Sequence, residues 1–113
     1  MRLSVIFTNV LVRYIAQDDP KQSPMATRLV ESLTMDARGY VSLVSVVELV
    51  WVLTDCYALP KAELCEVLAT LLRTKELVVA NAETVWQALR LLKEIKSHPS
   101  GWLFYVWRYG LSV

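Results

Sequence analysis

Residues 40–57, YVSLVSVVELVWVLTDCY, constrain this chain more than any other stretch. Across residues 41–53 every side chain is apolar except Ser42, Ser45 and Glu48. A carboxylate costs several kcal/mol to bury unpaired. Glu48 therefore either sits at an exit from the core or is held there for chemistry. The run is shorter than the ~18 residues a membrane span needs, and Glu48 interrupts it. The pattern predicts a short strand over 39–42 feeding a largely buried helix over 43–56. On that helix Val44, Ser45, Trp51 and Val52 would flank Glu48 on one face. The plainer alternative is a glutamate at a partly exposed helix end, bound to a backbone or arginine partner.

The rest of the chain alternates strand and helix signals. Residues 3–7 (LSVIF) are β-branched and apolar, short enough for a buried strand. Thr8 and Asn9 follow as good N-cap residues, ahead of a short helix over 10–16. In open parallel sheets the ligand site lies at the carboxyl ends of the strands, so Phe7 and the Thr8–Asn9 turn would face it. QDDP (17–20) is a turn, and Asp19-Pro20 a helix start. That helix would run to about Leu33 with Met25, Leu29, Val30 and Leu33 as its apolar stripe. Residues 34–39 read as a loop. Pro60 opens a helix to about Thr74 with Leu64, Val67, Leu68, Leu71 and Leu72 inward. Residues 76–80 (ELVVA) form another strand, and Asn81 caps a helix to about Lys96 with Val85, Ala88, Leu89, Leu92 and Ile95 inward. The expected fold class is α/β, a small parallel sheet flanked by helices.

A chain of 113 residues makes one domain. Its residues are 55% hydrophobic and only 20% charged, which points to an apolar surface covered by a partner or a second copy. A net charge of +1 supplies no global field toward nucleic acid. The N-terminus lacks the features of a signal peptide. Cys56 and Cys65 make neither a disulfide framework nor a CxxC motif, and with His98 the lone histidine a zinc site is not expected. Both thiols are expected to be reduced core residues of a cytoplasmic protein.

Beyond Lys96 the character changes. SHPSG (97–101) breaks the helix. Trp102, Phe104, Tyr105, Trp107 and Tyr109 then crowd together, and no residue from 95 to 113 is acidic. Residues 1–96 are thus expected to be the domain and 97–113 an atypical aromatic tail, packed on that domain or on a partner subunit. It would add to a sheet edge, its own or a twofold-related copy's, with Trp102, Phe104 and Trp107 at or near the interface of a homodimer or higher oligomer.

TNVLVRY (8–14), QDDP (17–20), VSLVSVVELVWVL (41–53), ELVVAN (76–81) and ALRLLKE (88–94), in this order, resemble PIN-domain proteins, specifically the VapC-type toxins of bacterial toxin–antitoxin pairs. The resemblance implies a PIN-like fold, truncated here at the C-terminus, and a ribonuclease dependent on Mg²⁺ or Mn²⁺. Acidic side chains hold the ion, which activates a water and stabilises charge on the phosphate. The remnant of that site would be Glu48, as metal ligand and catalytic acid, with Thr8 and Asn9. Phe7 stands where the family's first acid comes. His98 to Gly101 replace the acidic DFxD-like motif, and the chain ends before a further acid. An altered reading frame from about Ser97 would explain both departures.

Three functions follow. One is a working nuclease in which Glu48, helped by Asp18 or Asp19, holds the metal. Another, the preferred one, keeps the fold and a surface for an antitoxin-like partner but has impaired or absent catalysis and no tight hold on Mg²⁺ or Mn²⁺. The third is an unrelated, non-catalytic α/β interaction module acting through its apolar helix faces and aromatic tail. RNA as a partner rests on the resemblance alone, and no membrane partner is expected.

Overall fold

A computed structural model describes residues 2–94. The domain is α/β. Three parallel strands, β1 (Arg2–Val5), β2 (Ala37–Val41) and β3 (Leu77–Val79), lie in the order β1-β2-β3. Between them run α1 (Thr8–Ala16) and α2 (Gln22–Glu31), then α3 (Leu43–Asp55) and α4 (Lys61–Arg73), with α5 (Ala82–Glu94) after β3. No helix among the described residues is long and apolar enough to cross a membrane. Ile95, the tail aromatics Trp102, Phe104 and Trp107, and the expected boundary at residue 96 lie outside the described residues.

Register explains how the sheet is covered. Ser4 pairs with Gly39 and Gly39 with Leu77, while Val5 pairs with Tyr40 and Tyr40 with Val78. Paired residues share a face. Gly39, Val41, Leu77 and Val79 are buried on one side, where Ile6 joins them just beyond β1. On the other side Leu3 and Val5 are 53% and 56% exposed, and Tyr40 and Val78 are half-buried. One face of the sheet is therefore dry and the other open. β1 has all four of its residues exposed and lies at the edge of the sheet among the described residues; it is not the buried strand that LSVIF suggested.

The helices cohere through one core. Val46, Leu49 and Val50 of α3, Leu64 and Leu68 of α4, and Val85, Ala88 and Leu92 of α5 have no measurable exposure. The Arg73 guanidinium sits over the Trp86 ring, 5.7 Å from its centroid, and joins α4 to α5 on the surface. The α3 start follows from Ser42, whose hydroxyl accepts from the Ser45 N–H at 3.1 Å. In α4, Leu64, Leu68 and Leu71 point inward as expected, whereas Val67 and Leu72 are only half-buried and Cys65 and Ala69 are buried in addition.

Several expectations need correction. Thr8 and Asn9 do not cap α1 from outside. They are its first two residues, because β1 stops at Val5 and Phe7 takes the N-cap position without a side-chain cap bond. β2 begins at Ala37, within the expected loop, where a turn closed by Thr34 delivers the chain to the sheet. Met25 and Leu29 do not face the core; they are 61% and 41% exposed. α2 instead buries Ser23 and Ala26 against α1, where the Ser23 hydroxyl donates to the Arg13 carbonyl at 2.8 Å. Small side chains let the two helices approach closely, a signal that hydrophobicity does not carry. Cys65 is buried, but Cys56 is exposed at the end of α3.

Asp19 holds the start of α2. Its carboxylate accepts from the Lys21 and Gln22 N–H groups at 2.9 and 2.7 Å. These two bonds, Gln22 first, hold its pKa below the ordinary carboxylate value. A depressed folded pKa contributes stability above the unfolded value near 3.8, and that contribution is lost as pH falls through the folded pKa. Asp19→Ala should lower the thermal midpoint at pH 7. Asp19→Asn should retain much of the cap and remove this part of the acid dependence. Melting curves from pH 7 to pH 2 check both; parallel wild-type and Asp19→Asn profiles would contradict the assignment.

Candidate functional site

Thr8, Asn9 and Glu48 do come together. A shallow concavity of about 380 Å³ lies between the first turns of α1 and the middle and end of α3. Thr8, Asn9, Val12 and Arg13 line it from α1, and Glu48, Val52, Cys56 and Tyr57 from α3 and the residues after it. Helix periodicity explains the company. Val52 and Cys56 follow Glu48 by one and two turns, and Arg13 follows Asn9 by one turn. The α1 wall starts where β1 ends, at the carboxyl end of that strand. Glu48 is exposed, as are Val44 and Trp51 on the same helix, while Ser45 is buried and Val52 half-buried. α3 is thus a core helix with one wet stripe, and Glu48 lies on that stripe.

Phe7 precedes the wall and is 65% exposed; it does not line the concavity. At the far end stands a polar group that the sequence did not single out as a unit. The Tyr57 hydroxyl donates to Asp18 at 2.8 Å. Arg13 reaches the same carboxylate at 3.5 Å and donates to the Gln22 side-chain oxygen at 3.0 Å. The bond to Asp18 favours the protonated phenol and raises the Tyr57 pKa. Asp18 is committed to these partners, and Asp19 to the cap of α2, so neither adds a free carboxylate beside Glu48.

A hard divalent cation needs about six oxygen ligands, several of them anionic. The concavity offers the Glu48 carboxylate, a hydroxyl, an amide and a phenol, and it contains the Arg13 cation. Among the described residues no three His, Cys, Asp or Glu side chains converge on one point. These residues do not fit a Mg²⁺ or Mn²⁺ centre. Thr8, Asn9 and Glu48, expected as the remnant of a site, line the one concavity together.

Two further hollows lie on the helices. One, of about 290 Å³, is apolar and sits between α1 and α4, with Leu11, Tyr14, Ile15, Val30, Val67 and Leu71 among its lining. The other, of about 340 Å³, lies between α1 and α2 beside the exposed Met25 and Leu29. Neither was anticipated from the helical stripes, because both depend on how two helices cross.

Compared with protein-family models, curated proteins and solved structures, the chain matches none.

Proposed function

We propose that this chain is a PIN-like protein of the VapC type that keeps a protein-binding surface and has lost metal-dependent RNA cleavage. One observation carries the proposal: Thr8, Asn9 and Glu48, the positions that the resemblance assigns to the site, share one concavity whose remaining charge is the cation Arg13. The alternation of parallel strands and helices is compatible with that fold. The apolar hollow between α1 and α4 gives an antitoxin-like partner somewhere to seat an apolar side chain. The open sheet face gives a second copy somewhere to pack, so the proposal includes a homo-oligomer.

The purified chain should show no Mg²⁺- or Mn²⁺-dependent cleavage of RNA above background. Phe7→Asp should not restore it, since the replaced side chain lies outside the concavity. Cleavage that is abolished both by chelator and by Glu48→Gln would overturn the proposal. Light scattering should report a dimer or larger species at tens of micromolar, and a monomer would contradict the oligomer.

A second reading, a non-catalytic interaction module unrelated to VapC, draws on the same hollows and on Met25 and Leu29. Co-purification with a small antitoxin encoded beside this gene would favour the first reading over the second.

A further inference from the structure

The hollow between α1 and α4 has the make-up of a small-molecule site, apolar inside with a few polar groups at its mouth. Ten described residues line its volume of about 290 Å³, and six of them are aliphatic. Leu11, Leu71 and Leu77 are its most buried members, at 2%, 7% and 8% exposure. Ile15, Val30 and Val67 are half-buried around them. Helix periodicity explains what α4 contributes. Val67 and Leu71 lie one turn apart and make an apolar row. Glu66, Thr70 and Thr74 make a polar row beside it, each a turn from the next. The Thr74 hydroxyl donates to the Thr70 carbonyl at 2.7 Å, which leaves the Glu66 carboxylate and the Thr70 hydroxyl to meet a ligand. Glu66 is exposed, and it is the one charged residue among those ten. Lys61 and Lys93 border it in an adjoining hollow but do not line this one.

We propose that this hollow binds a small cationic amphiphile, its apolar body against Leu11, Leu71 and Leu77 and its ammonium group beside the Glu66 carboxylate. Size sets the body. An engineered apolar cavity of about 150 Å³ takes up benzene, and a hollow of nearly twice that volume suits a chain of roughly eight carbons. Charge sets the head group. An anionic head would be repelled by Glu66, and no cation in the lining offsets that repulsion. The ion pair is exposed, so burial of the body supplies most of the affinity and Glu66 supplies the preference among head groups. The inference does not rest on the antitoxin reading, which seats a protein side chain in the same hollow, because the ligand here is a free small molecule.

Three probes that share one carbon chain and differ in the head group test this on the full chain at pH 7: octylammonium, 1-octanol and octanoate. In titrations followed by methyl NMR, octylammonium should shift the methyls of Leu11, Ile15, Val67, Leu71 and Leu77 and leave those of Met25 and Leu29 in place. It should bind about three- to tenfold more tightly than octanoate, with 1-octanol between them. Glu66→Gln should bring the three affinities together, and the exposure of Glu66 makes that variant safe for folding. Val67→Trp, which fills the hollow, should abolish binding. If that variant does not fold, the pattern of shifts in the native chain and the Glu66→Gln affinities still decide the matter. Octanoate binding as tightly as octylammonium, or a preference unchanged in Glu66→Gln, would overturn the proposal. So would unmoved methyls in the hollow, or shifts as large at Met25 and Leu29, which mark adsorption to exposed apolar surface.

Discussion

Leu49→Ala should lower the stability of the domain by about 2–5 kcal/mol, the usual range for deleting a fully buried leucine. Leu49 is wholly inaccessible at the centre of α3, in a core shared by α1, α4 and α5. A small domain is stable by only about 5–15 kcal/mol, so this one change removes a large share. The check is urea unfolding, with the midpoint moving down and the slope preserved. Its control is the next residue. Glu48 lies on the wet stripe of the same helix, so Glu48→Gln should leave the midpoint where it was. If the two variants were equally unstable, Glu48 would be structural and the concavity beside it incidental.

The second large effect is expected at Gly39. This glycine lies in the middle of β2, paired with Ser4 and Leu77 and buried. It is needed for space and not for conformation, since no described glycine has a positive φ. A methyl group there would meet Ile6 Cγ1 at 2.8 Å and Leu33 Cδ1 and Leu77 Cδ2 at 2.9 Å each. Overpacking of this kind costs about 1–3 kcal/mol, so Gly39→Ala should fall in that range and Gly39→Val should cost more. The leucine ends can move, and Ile6 Cγ1 is held closer to its backbone. Removing that carbon in Gly39→Ala/Ile6→Ala should therefore cost less than the two single losses added together, a favourable coupling in a double-mutant cycle. Additive losses would mean that the crowding is relieved elsewhere.

The alternation of elements was legible because strand and helix write different periods into apolar positions. The runs SVI and LVV and the α5 stripe Val85, Ala88, Leu89 and Leu92 carried it plainly. What failed was exposure. Leu3 and Val5 read as buried because a short apolar run does not say how many neighbours a strand will have. Met25 and Leu29 read as core because periodicity finds an apolar stripe without knowing that α1 would take the Ser23 and Ala26 side. At the site, Glu48 stood out as the lone charge in an apolar run. Arg13 and Tyr57 did not, because they meet it only once α1 and α3 pack together. Their one-dimensional trace was faint: Arg13 lies a turn beyond Asn9, and Tyr57 follows Cys56, two turns beyond Glu48. The Tyr57–Asp18 bond spans 39 residues and leaves no local trace.

Strand order in this sheet follows chain order, and that has a bearing on synthesis. A ribosome releases β1 first, then β2, then β3, and each new strand finds its neighbour already outside the exit tunnel. The two pairings close loops of similar length, with Arg2 meeting Ala37 and Gly39 meeting Leu77. Loop-closure entropy grows only slowly with length, so neither closure is disfavoured over the other. The nascent domain therefore grows by accretion, each strand followed by the helix or helices next to it in the chain. Through all of this growth Leu3 and Val5, among the first residues to emerge, remain on the rim of the described sheet, more than half exposed.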